Sequence, residues 1–208
     1  MKNVMRIYIL FIFTIFTLNS LIAQEQNNFL PHPVSEFFGE DQYSLINPIM
    51  SEDGQRLYFS VLNHPDNAYG DFRSQDVWFI EKMGDDEWSV PQRVQAEFND
   101  SRYSAIYSIS EGNVMLIPGI YTKNGVYKKR GLSTVTYRNG GFTYPEKLKI
   151  PKYKNKNNGL TSSAYMNKEG NMIILSFTKK WQSEKIKHLW LSKKKRNGKW
   201  SKPKKIDF

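Results

Sequence analysis

The sequence predicts an all-β protein, a β-propeller-type array of three four-stranded antiparallel blades that forms an open arc or half of a closed ring. Three observations lead to this prediction. Gly54, Gly112 and Gly170 are spaced 58 residues apart, and a fixed period of this size is typical of repeat architectures. Short segments rich in aromatic and β-branched residues lie between Gly, Asp and Asn residues, and no helical period of 3.6 residues is sustained.

The first segment of the chain, residues 1–23, has the pattern of a secretory signal peptide. Lys2 and Arg6 precede an apolar run of 12 residues, 7–18, and small or polar residues then lead to Ala23. A transmembrane helix is the alternative, but it needs about 20 apolar residues. We therefore expect cleavage after Ala23, a periplasmic or secreted protein, and no transmembrane anchor in the mature chain.

Residues 24–42 form a lead-in to the repeats. Segment 29–34, which contains two prolines, is similar in sequence to segment 89–94, the expected fourth strand of the first repeat. We therefore expect a spare outer strand in the lead-in, one that belongs to a preceding blade.

The repeats themselves predict blade 1 over residues 43–94, blade 2 over 95–148 and blade 3 over 149–208. Each repeat has an aromatic residue near the start of its fourth strand, with a proline three residues later; these aromatic residues are Trp88, Phe142 and Trp200. Ten residues before them stand Trp78, Leu132 and Trp190. We expect these three residues at equivalent positions of the third strands.

The glycines that define the period predict tight turns between the first and second strands of each blade. A tight turn often needs a residue with positive φ, which glycine adopts without steric cost. An Asp carboxylate just before such a glycine accepts hydrogen bonds from backbone amides of the turn. We therefore interpret these residues as structural turn residues rather than catalytic ones: Asp53, Gly54, Gly112 and Gly170.

These motifs also resemble a known family. The run NPIMSEDGQRLYFS at 47–60, followed by DVWFI at 76–80 and WSVP at 88–91, is similar to the WD-repeat-like β-propeller units of exported bacterial proteins, the family that includes TolB-type propellers. The resemblance implies four-stranded blades and a surface that binds protein partners in the cell envelope, without a common catalytic residue. The second and third repeats depart from the pattern, because Glu111 and Glu169 stand at the positions equivalent to Asp53.

Three blades are one fewer than the smallest closed propeller, so two terminal blade faces need cover. Residues 24–100 carry 15 acidic and 4 basic side chains, whereas residues 147–208 carry 3 acidic and 18 basic ones, within a chain of net charge +10. One arrangement that would cover both faces is a homodimer that closes a six-bladed ring, with the acidic first blade of one copy against the basic third blade of the other. A truncated chain, a different capping protein and a merely solvated charge distribution are the alternatives.

The loops on one face of the array carry the candidate binding residues. We expect loops within the blades over 63–75, 119–130 and 178–187, and loops between the blades over 95–102 and 149–160. Their basic and aromatic side chains can bind an anionic polymer by charge and stacking. The candidate ligand face consists of Tyr121, Lys123, Tyr127, Lys128, Lys129, Arg130, Tyr153, Lys179, Lys180 and Trp181. The alternative is a lysine-rich surface that is only solvated.

Together these features predict a noncatalytic binding or scaffold module of the cell envelope, with a protein or an anionic polysaccharide as its partner. We expect no cofactor and no nucleic-acid partner. Cysteine is absent, and no nucleophile elbow, phosphate loop or zinc-type histidine spacing occurs. The oxygen-rich loop 63–71 offers ligands for Ca²⁺, although turn formation also explains its composition.

A carbohydrate-active propeller, or a fragment of one, is the alternative function. Glycosidases need two carboxylates flanking the scissile bond. The candidates are Glu36, Glu40 and Asp41, but the second and third repeats supply no corresponding acids. We therefore do not expect an enzyme.

Overall fold

The computed structural model describes residues 32–39, 42–95, 98–157, 162–178 and 188–206. They form three antiparallel sheets in chain order, none of which closes on itself. The predicted all-β array of three blades is confirmed. Residues 1–23, the predicted signal peptide, lie outside the described residues. Within the described ranges, no helix is both long and apolar enough to cross a membrane.

Each sheet is a meander of consecutive strands. The first sheet contains β1 (Leu45–Met50), β2 (Arg56–Leu62), β3 (Gln75–Glu81) and β4 (Gln92–Arg93). The second contains β5 (Ser108–Ser110), β6 (Val114–Tyr121), β7 (Tyr127–Arg138), β8 (Gly141–Phe142) and β9 (Glu146–Lys147). The third contains β10 (Ser162–Met166), β11 (Met172–Phe177), β12 (His188–Lys193) and β13 (Lys204–Lys205). Two short helices, α1 (His32–Phe38) and α2 (Tyr153–Lys156), complete the described structure.

The first strands of the blades lie side by side and form the inner edge of the array. β1 contacts β5, and β5 contacts β10. The Met166 amide on β10 donates a hydrogen bond of 2.9 Å to Ser108 Oγ on β5. The Gly112 amide donates one of 2.9 Å to the carboxylate of Glu52 in the preceding blade. The turns of successive blades are therefore joined directly.

The second strand of every blade presents apolar residues on both faces. Five residues after the turn glycine, Phe59, Ile117 and Leu175 are buried on the side of the preceding blade. Four residues after it, Tyr58 and Leu116 are buried against the following blade. Alternation along a strand explains this pattern, because successive side chains point to opposite faces of a sheet. Each interface between blades is therefore filled from both sides.

The register of the second blade corrects one predicted equivalence. Phe59 pairs with Trp78, and Leu175 pairs with Trp190, but Ile117 pairs with Ser133. Leu132 is therefore not equivalent to the two tryptophans, and it is buried against the third blade. The reason is that the register of β7 is set by its pairing with β6. This pairing shifts register between Pro118 and Tyr121, and residue spacing in the sequence does not show such a shift.

Helix α1 covers the free face of the first blade. Val34 and Phe38, four residues apart and thus on one side of the helix, are both buried. The Phe38 ring lies 5.3 Å from the ring of Trp78 and 6.0 Å from that of Phe59. The prediction of a strand over 29–34 is wrong for residues 32–34, which are helical. The reason is that a helix places Val34 and Phe38 on one side, where both are buried against the first sheet.

The two ends of the array therefore differ. α1 occupies the face where a preceding blade would otherwise pack, so closure of a six-bladed ring through this face would require displacement of α1. At the other end, Ile174 and Leu191 are half-buried, and Tyr165 is 53% exposed on the same face of the third sheet.

Substitution of Phe38 tests whether α1 is an integral part of the fold. Phe38→Ala should lower the free energy of unfolding by about 3–5 kcal/mol, because a buried ring is removed from the aromatic cluster. Phe37, which is 47% exposed on the same helix, serves as the control. Phe37→Ala should cost about 1 kcal/mol in urea unfolding. Equal losses for the two variants would contradict the assigned packing of α1.

The environment of His64 predicts loss of stability in mild acid. The ring of His64 is buried against Phe38, Tyr43 and Trp78. Burial lowers the pKa of His64 below its ordinary value of 6.5, and Asp66 offsets only part of this shift. His64 therefore binds a proton more readily in the unfolded chain than in the folded protein. Stability should rise with pH between the folded-state pKa and 6.5, and be lost as pH falls through that window.

Urea unfolding at about pH 5 and about pH 7.5 measures this contribution. The parent protein should lose more stability between the two conditions than His64→Asn, which keeps a hydrogen-bond acceptor but has no titratable ring. The same loss in both proteins would exclude His64 as a source of the pH dependence.

Candidate functional site

The predicted turn residues lie in the turns between the first and second strands. Gly54, Gly112 and Gly170 have φ of 70°, 75° and 62°. The Asp53 carboxylate accepts hydrogen bonds from Ser51 Oγ at 2.6 Å and from the Gln55 amide at 3.0 Å. These bonds lower the pKa of Asp53. Its carboxylate is therefore engaged in turn structure.

The oxygen-rich loop 63–71 is held by hydrogen bonds to strands β2 and β3. The buried Asn67 side chain donates to the Val61 carbonyl and accepts from Trp78 Nε1. The buried Asp76 carboxylate accepts from the Ala68 amide at 2.7 Å and from Arg93 at 3.1 Å. Within the described residues, no group of three or more His, Asp or Glu is placed to hold a metal ion.

The predicted loop over 119–130 is instead a strand hairpin. β6 and β7 extend to Tyr121 and from Tyr127, so only residues 122–126 form the turn. The charged side chains Lys123, Lys128, Lys129 and Arg130 are exposed. Lys179, Lys180 and Trp181 lie outside the described residues.

The aromatic members of the predicted ligand face have different positions. Tyr121 is buried in the interface between the first and second blades, and its hydroxyl donates to the Pro118 carbonyl at 2.9 Å. The prediction that Tyr121 belongs to the ligand face is wrong, because the alternation of side chains along β6 directs the Tyr121 ring into the core. Tyr127 is half-buried, and Tyr153 is 6% exposed.

A cavity of about 680 Å³ lies where the chain leaves the second blade for the third. This volume falls within the roughly 300–1,000 Å³ typical of ligand sites. We call it the basic cavity, because five of its lining residues are cationic and, among the described residues that line it, none is acidic. Its lining consists of Ile120, Lys129, Arg130, Gly131, Leu132, Lys147, Leu148, Lys149, Ile150, Pro151, Tyr153, Lys154 and Asn157.

A short hydrogen-bond chain crosses the wall of the basic cavity. Asn157 accepts from Arg130 Nη2 at 3.4 Å, and its amide nitrogen donates to the Tyr153 hydroxyl at 2.9 Å. Burial raises the pKa of Tyr153 to about 12. The tyrosine is therefore neutral at physiological pH and serves this chain as a hydrogen-bonding group.

The floor of the basic cavity is aliphatic and belongs to the core. Leu132 and Ile150 also pack in the interface between the second and third blades. Ile120 lies across Gly131, where an added Cβ would be 2.5 Å from Ile120 Cγ1. Glycine at 131 therefore permits the close packing that shapes the wall.

Two smaller cavities adjoin each other, and the larger of them shares Arg130 and Gly131 with the basic cavity. Their volumes are about 460 and 320 Å³, and they share Tyr103, Tyr107, Pro118 and Ser162. We call them together the axial groove. Its other lining residues are Asn47, Ser101, Gln75, Ala105, Gly119, Tyr127, Arg130, Gly131 and Ser163.

Sequence reasoning did not identify Lys147, Lys149, Tyr103 or Tyr107 as site residues. A signal for the lysines was present, because Lys147 and Lys149 alternate with Leu148 and Ile150. Period-two alternation separates the cations from the aliphatic floor. The tyrosines had no such signal, since their position depends on how neighbouring blades meet.

No protein-family model and no curated protein matches this chain. A solved structure described as a BT0996 RGII complex is similar to it, with a TM-score of 0.41 and 12% sequence identity. The similarity covers 77% of this chain and 56% of that one, so this chain spans little more than half of its neighbour's length.

Substitution of Gly131 tests the packing of the cavity wall. Gly131→Ala should lower the free energy of unfolding by about 1–3 kcal/mol, because the new methyl group displaces Ile120. Gly141→Ala is the matched control, since an added Cβ there has no neighbour within 4 Å. Urea unfolding should show a change of less than about 0.5 kcal/mol for the control. A neutral Gly131→Ala would contradict the tight contact.

Proposed function

We propose that this protein is a noncatalytic binding module of the cell envelope that binds an anionic partner at the basic cavity. The observation that carries the proposal is the convergence of five cationic side chains on one concave site, with no acid among the described lining residues. Cations that share a concave site add their fields and concentrate anions locally.

The shape of the site favours binding of a ligand over simple solvation of lysines. Solvated lysines extend from convex surface, whereas Lys129, Arg130 and Lys149 border a cavity with an aliphatic floor. The floor reduces the local dielectric, so a bound anion interacts with these cations more strongly than it would in bulk water.

The setting in the cell envelope rests on the sequence of residues 1–23. The kinship with WD-repeat-like propellers rests on the three turn motifs and on the order of strands in each blade. The cell-envelope setting and the relation to these propellers are both parts of the proposal, and a binding surface on a blade array fits each of them.

A noncatalytic role is favoured by the composition of the site. The described residues that line the basic cavity include neither a carboxylate nor a histidine to act as a general acid or base. Of the carboxylates considered for glycosidase chemistry, Glu36 is exposed on α1, at the first blade. Glu40 and Asp41 lie outside the described residues.

A triple variant tests the proposal. Lys129→Ala, Lys147→Ala and Lys149→Ala together should weaken binding of dextran sulfate and poly-L-glutamate by about tenfold, because three exposed cations are lost from one site. The weakening should be seen by titration calorimetry at about 0.1 M salt and should diminish at about 1 M salt, where charges are screened.

The control is a variant with the same change of charge elsewhere. Lys193, Lys194 and Lys195 are exposed on the third blade and line neither the basic cavity nor the axial groove. Their replacement by alanine should leave affinity within about twofold of the parent. Equal weakening by both triple variants would mean that binding follows net charge alone, and the proposed site would be wrong.

A further inference from the structure

The axial groove differs in chemistry from the basic cavity it adjoins. Its described lining is polar and aromatic, with three tyrosines, three serines, an asparagine and a glutamine. The ring of Tyr103 is 53% exposed, whereas Tyr107 and Tyr127 are half-buried. A concave surface that combines an exposed ring with several hydroxyl and amide groups suits a ligand that has both an apolar face and many hydroxyls.

The polar groups of the groove are held in place by the inner strands. Tyr107 donates its hydroxyl proton to the Ser162 carbonyl at 3.2 Å, which links the second and third blades. Gln75, another lining residue, donates from Nε2 to the Ser104 carbonyl at 2.8 Å, which holds its side-chain amide in place. Burial raises the pKa of Tyr107 and of Tyr127, so both hydroxyls stay neutral hydrogen-bonding groups.

Arg130 lies at the junction of the groove and the cavity. It lines both, and its positive charge lowers the pKa of Tyr107, Tyr127 and Tyr153 against the larger effect of burial. One guanidinium is therefore close to the tyrosines of both sites. A ligand that places an anionic group at Arg130 can extend in two directions, toward the lysines or toward Tyr103.

We propose that the basic cavity and the axial groove form one extended site for an acidic oligosaccharide, with an acidic sugar at Arg130 and a neighbouring sugar ring against Tyr103. This inference rests on the proposed anion-binding function and specifies its ligand. A pyranose ring has an apolar C–H face that packs on an aromatic ring and hydroxyls at its rim that meet amides and hydroxyls. An acidic peptide supplies the charge but lacks this combination in consecutive units.

The test compares long and short ligands on matched tyrosine variants. The probes are oligogalacturonate, alginate and dextran sulfate, each alongside its acidic monosaccharide, with poly-L-glutamate as the acidic peptide. Tyr103→Ala should weaken binding of an oligosaccharide by about fivefold to tenfold, because ring stacking is lost. It should leave monosaccharide and poly-L-glutamate affinities unchanged, since these report on the basic cavity alone.

Tyr144→Ala is the matched control. Tyr144 is 60% exposed, lies in the second blade and lines neither the basic cavity nor the axial groove. Its replacement should leave oligosaccharide affinity unchanged. Urea unfolding of both variants should show that each one remains folded.

The outcomes separate this inference from the function on which it rests. If no acidic probe binds the parent, both are overturned. If acidic probes bind but Tyr103→Ala equals the parent for every oligosaccharide, the extended site is overturned and the anion site stands. If Tyr103→Ala weakens poly-L-glutamate as much as the oligosaccharides, the sugar assignment is overturned.

Discussion

Burial of both faces of every blade is the constraint on which the rest of this structure depends. The second strand of each blade is apolar on both sides. A blade that is covered on one face only therefore leaves its other apolar face exposed to water. Stacking of blades solves the problem internally, with Ile117 and Leu175 each buried against the blade before. Only the two terminal faces are left without a neighbouring blade.

The protein treats these two terminal faces differently. On the first blade, two side chains from α1, Val34 and Phe38, complete a core with Phe59 and Trp78. A helix of seven residues thus covers the face on which a preceding blade would otherwise pack. On the third blade, Ile174 stands at the position equivalent to the buried Tyr58 and Leu116 and is only half-buried. The array has a closed beginning and a less completely covered end.

The candidate site follows from the irregularity of the second blade. In the first and third blades one short strand pairs with the third strand, whereas in the second blade both β8 and β9 pair with β7. β9 ends at Lys147, and the chain then runs past the end of the hairpin into α2. The space between this connection and β7 is the basic cavity. Its cations therefore come from two segments that are distant in sequence.

By itself the sequence determined the number of blades, their order and their turns. The 58-residue period, the turn glycines and the alternation of apolar residues are local properties, and each has a direct local cause in backbone sterics or strand geometry. The basic composition of the hairpin at Lys128 and Arg130 was also evident. An exposed cluster of cations on this hairpin was therefore predictable in outline.

Only the tertiary structure decided which side chains share a surface. It buried Tyr121, exposed Tyr103, placed Lys147 and Arg130 in the lining of one cavity, and folded segment 32–38 as a capping helix. These outcomes depend on strand register, and on which blade face still lacks a partner once the others have packed. Neither of these is a local property. A register shift of one residue moves every side chain of a strand to the opposite face of the sheet. The segment that covers a terminal face depends on which blade face has no neighbouring blade.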